Sequence, residues 1–549
     1  MGLTWEELAE VKFIEHAGTK QLSLAKFSGD VHADDPKYQM TGSQLDIHWE
    51  AVAGDDQLRA SRIDARDAEV ITDNQGTMSG ATLEVDLAED AEGRVVPTRI
   101  VGHDGVKVED IEQALSAREL DVSVVPKVDD EATVSDIGGR LRITSLTAEG
   151  EVKVHLKKQG MHIQGDRVVS ADDMAWLNLF GVPVRIFDGG MALTVPELKL
   201  SALDGPRDQV RATSDGAGRF SYIQVPTLEE AGRQVDVVWK KSMVMSPARP
   251  LVARDAAGKV KRSLRTQVEV RGKAVAKVSD LKLEENTLRS ETMSIWIAGM
   301  DPVAGAAGGT KDPALAAMGL GKHRTIDQLE ARGDVSLISA RWTDALHTEL
   351  ETRMQLTEAE YLDYDRVIER VLVEGASTLV IEDYRPEPDD QATKATPITG
   401  RGMTMLTSSD QLVIDGQKTQ VTVKGSAHLS HWPADNKNRR LDLRADTLVA
   451  DMKGIGGLEV MRGSEVESLR MDRVHASGNV VLKDFATGMT AYADQMVYDA
   501  KQKLVELMPL PNRRVMIEIE GQLMPTGNTH IIWDLKTNTF RGKGASGGL

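Results

Sequence analysis

A two-part strand repeat runs through this chain. Its clearest copy lies at 474–499. In the first half Val474, Ala476, Gly478, Val480 and Leu482 fall at every second position, while His475, Ser477, Asn479 and Lys483 take the alternate ones. Residues 484–488 carry turn chemistry, and the second half runs Ala491, Ala493, Asp494, Met496, Tyr498. A period of two marks a strand with one apolar and one watery face.

The same two halves recur in the same order. Gly29-Asp-Val31 precedes Leu45-Asp-Ile47, and Gly150-Glu-Val152-Lys-Val154 precedes Gly165-Asp-Arg-Val168. Gly272-Lys-Ala274 precedes Met293-Ser-Ile295, and Gly425-Ser-Ala427-His-Leu429 precedes Ala445-Asp-Thr-Leu448. Gly333-Asp-Val335 gives a clear first half alone. A glycine recurring inside a strand pattern marks a bend, a bulge or a close backbone approach. The pattern therefore predicts an all-β, elongated stack of antiparallel strand repeats, with loops of variable length between rungs.

Helical signals are few. Short helices are expected at 108–117 and 227–233. Long loops are expected at 204–216, 246–258, 298–325 and 385–399, and a flexible tail at 541–549. These divide the chain into repeat segments 1–200, 201–326 and 327–540. Unpaired strand edges are expected at both ends of the stack, where an open edge templates pairing with another chain.

Composition narrows the function. Lys+Arg number 66 and Asp+Glu 85, so the net charge is −19. That argues against a duplex nucleic-acid binder, which needs a cationic face. With no cysteine, disulfides, thiolate metal sites and cysteine nucleophiles are excluded. Aromatics at 4% are sparse for stacking on sugars or bases. No apolar run approaches the roughly 18 residues of a membrane span. The N-terminus lacks a signal-peptide pattern, so the chain reads as cytosolic or as an internal piece of a longer exported protein.

Chemical motifs fail on inspection. Around 318–325, Ala316 and His323 stand where a phosphate-binding loop needs Gly and Ser or Thr. Around 453–459, Glu459 replaces the last glycine of a dinucleotide fingerprint. His428 and His431, three apart on a strand, face opposite ways and cannot share a metal. The acid pairs Asp34/Asp35, Asp129/Asp130 and Asp389/Asp390 read as solvated turns, with calcium the alternative. Neither GxSxG nor HExxH occurs. The expectation is a non-enzyme without cofactor or metal, although 85 acids offer too many pairs to eliminate a glycosidase dyad by sequence.

The residues Ala476-Ser-Gly478-Asn-Val480-Val481 and Ala493-Asp494-Gln-Met496-Val-Tyr498 resemble the OstA-like family, the periplasmic bridge of lipopolysaccharide transport. The resemblance is good over 421–507 and looser toward residue 1. It implies a β-jelly roll folded like a taco, with a greasy groove that shields acyl chains of lipopolysaccharide or a related glycolipid between inner and outer membrane. It implies a periplasmic location, and stacking on other jelly-roll envelope proteins through edge strands. Strand parity with Gly478 and its equivalents assigns to that groove Val31, Leu45, Val152, Val154, Val168, Ala427, Leu429, Ala476, Val480, Leu482, Met496 and Tyr498. The 22 methionines suit a deformable apolar lining. An acidic carrier of an acidic glycolipid has to leave the headgroup in solvent.

Two other classes stay open. A ligandless β-solenoid scaffold would fill its interior with bulkier side chains at constant register. A polysaccharide-acting enzyme on a β-helix would cluster acids and aromatics on one face.

Overall fold

The computed structural model describes residues 2–299, 324–384, 401–453 and 470–542, less 36–37, 52–56, 73–75, 91–92, 112, 127–135, 138–140, 158–159, 189–190, 203–209, 225–232, 255–259, 280–282, 435–438, 512, 527–529, 536 and 538. The described residues form 36 strands and no helix. Neighbouring strands run antiparallel and follow one another as stacked rungs.

Each repeat glycine does one backbone job. In Gly29-Asp30, Gly150-Glu151, Gly272-Lys273, Gly333-Asp334, Gly425-Ser426 and Gly478-Asn479 both residues have positive φ, at 77° and 49° in the last pair. Glycine enters that region without a Cβ penalty, and Asn or Asp tolerates it better than most residues. The pairing register breaks at these pairs, between Ser28 and Val31, Glu149 and Val152, Arg332 and Val335, Lys424 and Ala427, and Ser477 and Val480. Two residues drop out of the ladder, so parity is kept. Ala476 and Val480 remain on one face while the bulged strand bends.

The bends line up as a crease that divides the rungs into two arms. After the strand Met489–Asp499, residues 495–499 continue into Leu504–Met508, whereas 489–492 continue into Met516–Ile519. The arms of Leu350–Asp365 likewise continue separately into Arg370–Glu374 and Ser377–Asp383. They rejoin on the single strand Gln420–Pro433 through Gly402–Ser408 and Gln411–Asp415. The aspartate of the second half-repeat ties the crease together. Asp166 accepts from the Val182 N–H at 3.1 Å, and Asp494 from the Leu510 N–H at 2.7 Å and the Arg513 guanidinium at 2.7 Å. Asp446 accepts from the Asn479 amide at 3.1 Å. Those bonds satisfy groups that the broken ladder leaves over.

The chain divides into two compact units. One comprises Met1–Ser221, Lys241–Val268 and Ala298–Arg324; the other comprises Tyr222–Lys240, Glu269–Ile297 and Thr325–Leu549. The segment 201–326 therefore contributes to both.

Three local expectations are corrected. Residues 108–117 are not a helix but the ends of two strands, Val106–Glu109 and Gln113–Ala117, joined at Asp110. There the Asp110 carboxylate accepts from the Gln113 N–H at 2.7 Å, closing a turn that outcompetes the helical spacing of Val108, Ile111 and Leu115. Residues 246–254 are not a loop, because the strand Ser242–Arg254 runs through them. Of the loop expected at 204–216, residues 211–215 form the strand Arg211–Asp215. The expected helix at 227–233, bar Arg233, and the loop at 385–399 lie outside the described residues, as do most of the 298–325 loop and the tail from 543.

Candidate functional site: an apolar groove along the crease

The first rungs of the N-terminal unit place apolar residues in continuous cross-strand rows. Phe27, Leu45, Ala65 and Leu83 stand opposite one another along four successive strands: Thr19–Asp35, Tyr38–Ala51, Leu58–Thr72 and Thr77–Glu89. The next row out from the crease on that arm is Ala25, Ile47, Ile63 and Val85. On the other arm Ala33, Met40, Val70 and Met78 align, and the row extends to Val108. Paired residues share a face, so each row lies on the inner side of the fold.

Burial is graded along the strands Tyr38–Ala51, Leu58–Thr72 and Thr77–Glu89, whereas the small Ala25 and Ala33 of Thr19–Asp35 are buried in the outer rows as well. Val31, Leu45, Ala65, Ala68 and Leu83, beside the crease, are buried and form one cluster. Phe27, Ile47 and Ile63 from one arm, and Leu3, Met40, Val70 and Met78 from the other, pack against that cluster but stay partly exposed. An inner face that is buried at its base and half-open further out is a groove. The row from Ala33 to Val108 crosses four strand spacings, about 19 Å at roughly 4.8 Å each.

The groove reaches an exposed end. In the strand Leu8–His16, Val11 stands opposite Ala25 and Phe13 opposite Leu22, which puts both on the inner side. They are 51% and 59% exposed. Trp5 packs on Phe27 with ring centroids 5.0 Å apart.

Charges occupy the opposite face of the same strands. Lys26 meets Asp46 at 2.7 Å, His48 meets Asp64 at 2.9 Å, and Arg62 bridges Asp64 and Glu84 at 2.6 and 2.8 Å. Arg99 pairs with Asp121 at 2.6 Å. Hydrogen bonding to Asp46, then its charge, raises the Lys26 pKa. Exposed pairs of this kind contribute little stability. Their value is positional, because a one-residue slip would turn every charge into the groove.

The C-terminal unit treats the equivalent positions differently. Val474, Tyr498, Val505 and Trp533 form the second row from the crease there. Tyr498 is 0% exposed and Trp533 1%. Large rings close the interior at the place where Ile47 and Ile63 leave it half-open.

The twelve inward positions expected from the repeat divide accordingly. Val31 and Leu45 lie at the base of the open groove. Val152 and Val168 are buried further along the same unit, and Val154 is half-buried. Ala427, Leu429, Ala476, Val480, Leu482, Met496 and Tyr498 are buried in the filled interior. The sequence reading missed Ile47, Ile63, Ala65, Ala68, Val70, Met78 and Leu83 as lining. The strand Leu58–Thr72 bends at Asp67, with φ 46° and no glycine, so the repeat signature is absent there. The alternation Ile63, Ala65, then Ala68, Val70 was the available signal.

A polar cluster sits on the outer face of the C-terminal unit. The Ser430 hydroxyl donates to Asp442 at 2.8 Å and lies 3.2 Å from His428 Nε2. Asp442 is 3.7 Å from that same ring nitrogen and is clamped by the Arg440 guanidinium at 2.6 and 2.8 Å. A relay would need the carboxylate on the other nitrogen. Burial holds the His428 pKa below its ordinary value against the opposing pull of Asp442. Arg440 also stacks over Trp432 and Phe485, with centroid distances of 4.9 and 5.0 Å, so the cluster holds the connection between two strands in place. His431 faces the opposite side and meets the Thr404 hydroxyl at 2.9 Å.

No protein-family model matches this chain, and no curated protein matches it.

Proposed function

We propose that this chain is a lipid-carrying envelope protein. Its N-terminal groove shields acyl chains of lipopolysaccharide or a related glycolipid in the periplasm. The observation that carries the reading is the apolar groove of the first rungs, whose rows are made of Ala, Val, Ile, Leu, Met and Phe. Burying an acyl chain is worth ~0.8 kcal/mol per methylene, so a chain laid along about 19 Å of groove is held without specific polar contacts. The headgroup stays outside, away from an acidic surface. The exposed Val11 and Phe13 on the strand Leu8–His16 support stacking of another jelly-roll edge onto this end.

The closed interior at Tyr498 and Trp533 favours a second reading for the C-terminal unit, that of a ligandless scaffold. A photo-crosslinking residue at Ile63, compared with one at Val480, tests the assignment in protein purified from membranes. Lipid adducts at Ile63 and none at Val480 are expected. Absence of lipid at Ile63, Ile47 and Met78 alike would leave the scaffold reading for the whole chain.

A further inference from the structure

A second concavity lies on the outer face of the C-terminal unit, remote in character from the groove. It is an open hollow of about 400 Å³ lined by residues of four strands. That volume falls in the range of small-molecule sites. Its bed is apolar, made by Ile338, Ala340, Trp342 and Leu350. Leu337 and Leu356, which stand opposite each other, take the inner face, so the alternate Ile338 and Ala340 face outward.

Cations surround that bed, and their pairing is uneven. Lys277 is answered by Glu285 at 3.3 Å, and Arg353 is paired with Glu382. Arg289 lines the same concavity and is exposed, with no ion-pair or hydrogen-bond partner among the described residues. The site thus presents one uncompensated guanidinium beside an apolar floor, on a chain whose net charge is −19.

The wall of the site is built in advance. Trp342 stacks on His347 with centroids 3.9 Å apart and planes 5° from parallel. The turn between them is closed by Asp344, whose carboxylate accepts from the Leu346 N–H at 2.8 Å, the Thr348 hydroxyl at 2.7 Å and the Glu349 N–H at 3.2 Å. A side chain fixed before binding loses little freedom when a ligand arrives.

We propose that this outer-face concavity binds a small amphipathic anion, an alkyl phosphate or carboxylate, with its head on Arg289 and its chain against Ile338, Trp342 and Leu350. The site is separate from the crease groove and does not depend on the function proposed for it.

The test labels the protein with 5-fluorotryptophan and follows fluorine resonances, assigning Trp342 by Trp342→Phe and Trp49, two residues on from the groove residue Ile47 in the strand Tyr38–Ala51, by Trp49→Phe. Decyl phosphate, kept below its micelle concentration, is titrated beside inorganic phosphate and the neutral decyl maltoside. A saturable shift of the Trp342 resonance with decyl phosphate is expected, weakened about tenfold by Arg289→Gln, since a charge-assisted contact is lost. Ile338→Asp, which charges an exposed part of the apolar bed, should abolish it while leaving the other resonances in place. The proposal is overturned by an unshifted Trp342, by a response confined to Trp49, by equal binding of maltoside or of inorganic phosphate, or by an Arg289→Gln protein that binds as tightly as the parent.

Discussion

An aspartate placed on the inner face should be tolerated in the open groove and not in the filled interior. Val480 is 1% exposed, so Val480→Asp puts a carboxylate where no water reaches. An uncompensated buried charge costs about 3–5 kcal/mol, and the lost apolar burial adds roughly 1.5 kcal/mol. Ile63 is half-buried against the groove cluster. In Ile63→Asp the carboxylate turns toward solvent, and the loss is about half the ordinary burial of an isoleucine, roughly 1 kcal/mol. The gap between the two is therefore about 4 kcal/mol, or roughly 10 °C at 2–4 °C per kcal/mol for units of this size. Differential scanning calorimetry reads it, with each unit's transition followed separately because a two-unit chain does not unfold in one step. Equal losses at the two sites would refute the distinction between open and filled segments. A larger loss at Ile63 would reverse it.

Gly478→Ala should destabilise well beyond Gly488→Ala, because both glycines have positive φ but only at 478 would a Cβ meet the Asp446 carboxylate, 2.2 Å away, while nothing lies within 4 Å at 488. About 1 kcal/mol at 488 and 2–4 kcal/mol at 478 are expected in urea titrations, and equal effects would remove steric crowding from the account. Asp494→Ala strips the Leu510 N–H and Arg513 of their acceptor, and a loss of about 1–3 kcal/mol should appear in the same titrations; an unchanged midpoint would show that the crease needs no aspartate. His428 has a folded pKa below its ordinary value of about 6.5. The unfolded chain therefore takes up its proton first, and the stability of the neutral state, full above about 6.5, falls as pH drops toward the folded pKa. Urea midpoints at pH 7.5 and 5.5 should draw together in His428→Gln, and an unchanged pH difference would locate the acid sensitivity elsewhere.

Much of the fold was legible because its rules are local. Alternation assigned the faces, so positions as distant in sequence as Val31, Val168 and Val480 could be read as inward, and all three are buried. The glycine recurring six times marked the crease, since two successive left-handed residues inside a strand call for a residue without a Cβ. Where the crease uses Asp67 instead, the signal vanished and Leu58–Thr72 was not read as a repeat. The reading failed at 108–117 for a related reason. Spacing alone suits a helix there, and the deciding contact is a single carboxylate closing a turn.

Residues a few positions apart specify which face of a rung is apolar and, where a glycine leads the left-handed pair, where the rung bends, because backbone sterics and a period of two act locally. What that apolar face encloses depends on the packing of distant rungs. Ile47 and Tyr498 hold equivalent positions in the repeat, although only Tyr498 was assigned inward from the sequence. One is half-open and the other sealed, because what covers a side chain depends on the rows beside and across from it. Around Tyr498 those neighbours include Trp533, and around Ile47 they are Ile63 and Ala25. The size of the neighbours decides whether the interior closes, and strand pairing assembles them from places that no local pattern connects.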